Sequence, residues 1–166
     1  MTTTPRPPIQ IAWVANDLDA TESTLTALLG VRKWIRMPGV HFAPDTCTYL
    51  GEPADFVADI ALSYVGDMQL ELIAPVRGRS LYTDFLHAGG PGLHHVCIEA
   101  EDPNDFAAML NDAADRGAPV VAQGVMPGGM QFAYVSAPDA GIPYLEIAYI
   151  PAEIRSVFEY IKQEQR

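Results

Sequence analysis

Four polar side chains stand out against an apolar background: Gln10, Glu71, His95 and Glu146. Each lies in a run that reads as a β-strand: Gln10-Ile-Ala-Trp-Val-Ala, Leu70-Glu-Leu-Ile-Ala, His95-Val-Cys-Ile-Glu-Ala and Tyr144-Leu-Glu-Ile-Ala-Tyr. An amide oxygen, an imidazole and two carboxylates make a competent donor set for one divalent ion. The two carboxylates offset its charge. A single nitrogen among oxygens suits Zn, Ni, Co, Mn or Fe(II) without choosing among them. Singly, each residue has a plainer explanation. His95 alone is a hydrogen-bonded core histidine, Glu71 alone a solvated residue on an antiparallel strand, and Gln10 alone carries almost no information. Only their conjunction points to a metal.

That conjunction follows from an internal repeat. Gln10 and His95 each start a strand and are followed by an aspartate seven positions on (17 − 10 and 102 − 95) and a leucine fifteen on (25 − 10 and 110 − 95). Both copies then reach a glycine, Gly30 and Gly117. Leu70-Glu71-Leu72-Ile73-Ala74-Pro75 closes the first copy, and Leu145-Glu146-Ile147-Ala148-Tyr149-Ile150-Pro151 the second. If the copies are related by a pseudo-twofold axis, Gln10, His95, Glu71 and Glu146 converge from four strands. The neighbouring His94 and His95 point to opposite faces of a regular strand, so at most one of them reaches that point. His94 is expected to be structural and to face away.

The elements that must position these residues are read in order. Asp17 caps a helix from Leu18 to Leu29 that stops at Gly30. Strands are predicted over Val31–Met37, Asp55–Tyr64 and Met68–Ala74, with Pro38–Glu52 a loop holding one short strand. Gly66-Asp67 is a hairpin signal. The second copy repeats the plan with a helix from Asp102 to about Asp115 and strands over Pro119–Gln123, Gln131–Ser136 and Tyr144–Tyr149. The units are module one at 9–76, a linker helix at 80–88, module two at 92–150 and a C-terminal helix at 152–163, all in one domain spanning 1–166. The stripe Ile154, Val157, Phe158 and Ile161 on the last helix needs a surface to cover, and its own core is the simpler choice.

Composition bounds the function. The chain has 166 residues, 49% of them hydrophobic, enough for a proper core. A formal charge of −11 disfavours nucleic acid and anionic membranes as partners. Two cysteines, Cys47 and Cys97, give no disulfide framework and fit a reducing cytosol. The first residues carry no apolar leader, and no run is long enough to span a bilayer. A cytoplasmic protein with a small-molecule substrate is the expectation.

The strand-helix-strand-strand-strand repeat, with Gly-Leu-His-His-Val-Cys-Ile-Glu, Leu-Glu-Leu-Ile-Ala-Pro and Tyr-Leu-Glu-Ile, resembles the vicinal oxygen chelate superfamily over roughly residues 9–150. That group includes glyoxalase I, methylmalonyl-CoA epimerase and the extradiol dioxygenases. The segment from Glu71 to Asp102 is most similar to the epimerase branch. The resemblance implies an α+β fold in which two βαβββ modules form a curved mixed sheet around one divalent metal ion, held by Gln10, Glu71, His95 and Glu146. The epimerase branch has histidine where Gln10 stands, and the Gln, Glu, His, Glu set resembles glyoxalase I instead. The family's chemistry implies an ion that polarises a carbonyl or enediolate oxygen, with Glu146 as ligand and base and Glu71 staying bound. Asp59 is the candidate for the second acid of an epimerase. A homodimer is also implied.

Three functions are weighed. The first is a metal-dependent isomerase, epimerase or lyase acting on a small α-hydroxy or α-keto acyl compound. The second is an Fe(II) extradiol-type dioxygenase, against which Gln10 and the fourth ligand Glu71 both count. The third is a metal-free binding protein of the same fold that sequesters a drug such as an antibiotic.

Overall fold

The structure is a computed structural model and describes residues 4–166. The two sequence copies fold alike. Module one comprises β1 (Gln10–Val14), α1 (Leu18–Leu29), β2 (Ile35–Phe42), a small hairpin β3 (Cys47–Tyr49) and β4 (Glu52–Pro53), then β5 (Phe56–Val65) and β6 (Met68–Arg77). After the linker helix α2 (Leu81–Ala88), module two comprises β7 (Gly92–Ala100), α3 (Pro103–Asp115), β8 (Val120–Val125), β9 (Gln131–Ser136) and β10 (Tyr144–Tyr149). The chain ends in α4 (Ala152–Gln163).

The helix starts follow from side-chain chemistry. Asp17 accepts a hydrogen bond from the Ala20 N–H, and Asp102 accepts one from the Asp105 N–H, with Pro103 preset for the first turn. Gly30, at φ 72°, takes the left-handed conformation that ends α1. Each helix covers the outer face of its own module: α1 packs on Ala61 and Leu72, and α3 on Ala133, Val135 and Ile147.

Among the described residues, all ten strands form one sheet in the order β2-β5-β6-β1-β7-β10-β9-β8-β3-β4. Within each module the first and last strands pair in parallel, β1 with β6 and β7 with β10. The modules meet at an antiparallel seam between β1 and β7. The four strands that carry Gln10, Glu71, His95 and Glu146 are therefore the four neighbours β6-β1-β7-β10 at the centre.

Two departures from the sequence reading shape the cavity. The second strand does not end at Met37; it continues through Pro38 and Gly39 to Phe42, with a register shift against β5 between Met37 and Val40. It is an edge strand, where a missing N–H is tolerated. The hairpin β3-β4, although part of module one, pairs with β8 at the far border of the sheet. Only residues 43–46 separate β2 from β3. A chain spans at most ~3.6 Å per residue, so the two borders lie within about 18 Å and the sheet must curl. Phe42 of β2 accordingly stacks on Phe56 (4.5 Å between centroids) and meets Phe132 of the other module edge to face at 5.8 Å.

The C-terminal helix closes the concave side. Ile161 is fully buried, and Phe158 packs against the inner core. Lys162 pairs with Asp67 in the β5-β6 turn, and Arg155 with Glu99 on β7. Among the described residues, no helix is long and apolar enough to cross a membrane.

Candidate metal centre

The register across the seam has twofold character. Gln10 sits opposite Cys97, and Cys97 sits opposite Glu146; His95 sits opposite Ala12, and Ala12 sits opposite Glu71. Paired residues share a sheet face, so all four polar side chains enter the concave side. The residues between them are small: Ala12 and Cys97, both fully buried, leave the space that the donors fill.

The four side chains meet. His95 Nε2 lies 2.9 Å from a Glu146 oxygen, 3.5 Å from a Glu71 oxygen and 3.2 Å from Gln10 Oε1. One donor atom each from Glu71, His95 and Glu146 falls within 4.8 Å of the others, a group that could hold a metal ion. Donors held by one ion at ~2.0–2.2 Å stand about 3–3.5 Å apart, the range of the three distances from His95 Nε2.

Electrostatics agree with the geometry. Burial alone lowers the affinity of the His95 ring for a second proton, but its hydrogen bonds to Glu146 and Glu71 outweigh that and push it up to about 9. Burial raises Glu71 above the ordinary carboxylate range, opposed by its contact with His95. Without an ion, an imidazolium therefore bridges two acids. A divalent ion, if held by Gln10, Glu71, His95 and Glu146, would supply that bridging charge in place of the proton on His95 Nε2.

His94 does not face away. The register passes from Ala12↔His95 to Trp13↔Leu93, so His94 is the extra residue of a β-bulge. A bulge breaks the strand's alternation and turns both histidines indoors. Their Nδ1 atoms are 2.8 Å apart, and both rings are fully buried. Burial, reinforced by the neighbouring His95, drives His94 down to about 2, so it stays neutral. Its Nδ1 accepts the His95 Nδ1–H, which leaves His95 Nε2 aimed at the acids. Metal-ligating histidines are typically oriented in this way. His94 Nε2 has no hydrogen-bond partner among the described residues and is caged by Tyr82, Phe85, Tyr134 and Tyr144, with ring centroids 5.0–5.8 Å away.

Gln69 is a second residue that sequence reasoning missed. Gln10 Nε2 donates to Gln69 Oε1 at 2.6 Å, and Gln69 Nε2 donates to the Tyr64 hydroxyl at 3.0 Å. The signal was its place two residues before Glu71, on the same face of one strand. Asp59 does not join the cluster. Its neighbour Ile60 lines the cavity, whereas Asp59 sits half-buried on the alternate face and accepts from the Gly39 N–H at 2.8 Å.

Gln10, Glu71 and Glu146 line the polar floor of a cavity of about 200 Å³, with His95 fully buried against them. Its walls are apolar: Phe42, Ile60 and Leu62 from module one, Phe132 from module two, and Val157 and Phe158 from α4. The turn Met126-Pro-Gly-Gly-Met130 contributes both methionines and abuts α4, where a Cβ on Gly128 would meet Ile154 Cδ1. Tyr82 and Tyr134 join their hydroxyls at 2.7 Å beside the donors, and burial holds both phenols well above their usual range.

Residues 9–134 match the family model described as the Glyoxalase/Bleomycin resistance protein/Dioxygenase superfamily. Among solved structures, the hypothetical protein BH1468 from Bacillus halodurans C-125 superposes with a TM-score of 0.64 at 17% identity, over 89% of this chain and 96% of that one. A methylmalonyl-CoA epimerase in complex with methylmalonyl-CoA and NH4+ gives 0.60 at 19% identity, over 90% and 97%. The methylmalonyl-CoA epimerase from Mycobacterium tuberculosis gives 0.58 at 16% identity, over 90% and 91%. No curated protein matches the chain. At these identities the structural likeness speaks for the fold, and the family model speaks for descent: the chain belongs to the Glyoxalase/Bleomycin resistance protein/Dioxygenase superfamily.

Proposed function

We propose that this protein is a divalent-metal-dependent isomerase or lyase that moves a proton at the carbon beside a carbonyl or enediolate of a small substrate. The convergence of Gln10, Glu71, His95 and Glu146 on one point beside an apolar cavity carries this reading. When bound, the ion supplies electrophilic polarisation of the substrate oxygen. Glu146, buried beside the cavity, is the base that takes and returns the proton. Glu71 and Gln10 hold position from the neighbouring strands, and His95 is aimed by His94. The surrounding hydrocarbon lowers the local dielectric and strengthens each of these interactions.

Among the described residues, the cavity wall supplies no third carboxylate. With Asp59 on the far face, a reaction that needs acids on both sides of the carbon has only Glu71 to set against Glu146. One-base proton transfer is therefore favoured over two-base epimerisation. A ring-cleaving dioxygenase fits less well, because one imidazole faces the cluster and an amide takes the place of the second.

Metal content of protein purified without an affinity tag, paired with the Glu146→Gln variant, tests the reading. About one divalent ion per chain is expected. The variant should retain the ion and lose deuterium exchange at the substrate α-carbon. Full exchange by the variant removes Glu146 as the base.

A metal-free binding protein is the second reading. It is favoured by the apolar cavity and by the ability of a protonated His95 to bridge both acids without an ion. Ligand binding insensitive to chelator supports it.

A further inference from the structure

We propose that the cavity selects a small, uncharged substrate with a hydrocarbon remainder, and that it rejects carboxylates and phosphorylated carriers; the inference rests on the metal-site reading above. Charge balance carries the selectivity. Glu71 and Glu146 match a divalent ion, so the loaded floor is neutral. A further anion in the cavity needs a cation of its own, because an unpaired buried charge is strongly disfavoured.

Among the described residues, no lysine or arginine lines the cavity. The cations of α4, the element that roofs it, are engaged outward: Arg155 with Glu99 and Lys162 with Asp67. Arg77 and Arg79, near the linker, are engaged with Asp55 and Asp84. The wall opposite the donors is hydrocarbon and thioether, including Met37 and Met130. A net charge of −11 also repels polyanions before they reach the mouth. Methylmalonyl-CoA, bound by one of the structural neighbours, has both features this cavity disfavours: a free carboxylate and a phosphorylated carrier.

Two probes of similar size separate the cases. α-Hydroxyacetophenone is neutral and presents a hydroxyl beside a ketone; benzoylformate presents a carboxylate beside a ketone. Calorimetric titration of the zinc-loaded protein should show the neutral probe binding at least ~10-fold more tightly. The Met37→Lys variant places a cation in the cavity from an edge strand, where its stem can extend toward solvent. It should narrow or reverse the preference. Equal or tighter binding of benzoylformate by the unmodified protein overturns the proposal. So does binding of neither probe, or saturable binding of methylmalonyl-CoA as strong as that of the ketone.

Deuterium exchange at the hydroxymethylene carbon, followed by proton NMR in the same samples, reports separately on proton transfer. Preference without exchange upholds the charge rule and removes the isomerase reading. Exchange without preference does the reverse.

Discussion

Gln69 fixes which end of the Gln10 amide faces His95, Glu71 and Glu146. Its Oε1 accepts from Gln10 Nε2 at 2.6 Å, so Gln10 Oε1 is turned toward His95 Nε2, 3.2 Å away. The Tyr64 hydroxyl, accepting from Gln69 Nε2, sets Gln69 in turn. An amide presents a ligand atom at only one end, so these two hydrogen bonds decide whether Gln10 could serve as a donor to an ion at all.

The Gln69→Leu variant is accordingly expected to weaken metal binding by ~10–100-fold, the usual effect of losing an outer-shell partner. Competition with a chromogenic chelator measures it. An unchanged dissociation constant reduces Gln69 to a packing residue.

His94→Phe makes the parallel test on the imidazole. Phenylalanine keeps an aromatic ring within the cage of Tyr82, Phe85, Tyr134 and Tyr144 but offers no acceptor to His95 Nδ1–H. Metal affinity should again fall by ~10–100-fold while the circular dichroism spectrum is retained. Normal affinity with a normal spectrum shows that the ring's shape alone sufficed.

The metal-free protein should lose stability as the solution becomes alkaline. His95 titrates at about 9 in the folded chain against 6.5 ordinarily, so the folded state binds that proton more tightly. The resulting stabilisation is complete below pH ~6.5 and is lost as pH rises through about 9. Glu71, raised by burial, acts in the same sense at lower pH. Melting temperatures of chelator-treated protein across that window test this. Zinc-loaded protein should lack the His95 decline, and zinc uptake at neutral pH should release a proton, seen as a binding heat that varies with buffer.

Removing side-chain volume from α4 should be costly although the helix lies at the chain's end. Ile161 is only 1% exposed, and its replacement by alanine is expected to destabilise the fold by ~2–5 kcal/mol. Urea denaturation measures the change. A loss below about 1 kcal/mol would indicate that α4 rests loosely on the core.

Much of this was legible from the residues. Asp17 and Gly30 bracket α1 because one side chain satisfies a free N–H and the other residue adopts a left-handed turn. The duplicated pattern put Gln10, Glu71, His95 and Glu146 at equivalent points, and the register keeps that equivalence. What escaped detection came from breaks in strict alternation and from pairing between distant segments. The bulge that brings His94 beside His95 inserts a residue without changing residue type. Pro38-Gly39 reads as a terminator, yet an edge strand carries it. Asp59 has the right chemistry on the wrong face. The pairing of β3 with β8 depends on closure of the whole sheet, which no local window contains.

The short connection across residues 43–46 works like the clasp of a hoop. Its two anchor strands lie at opposite margins, so its length sets the girth of the chamber while every donor stays on the untouched central strands. Lengthening that clasp is thus a route to admitting bulkier molecules with Gln10, Glu71, His95 and Glu146 left as they are.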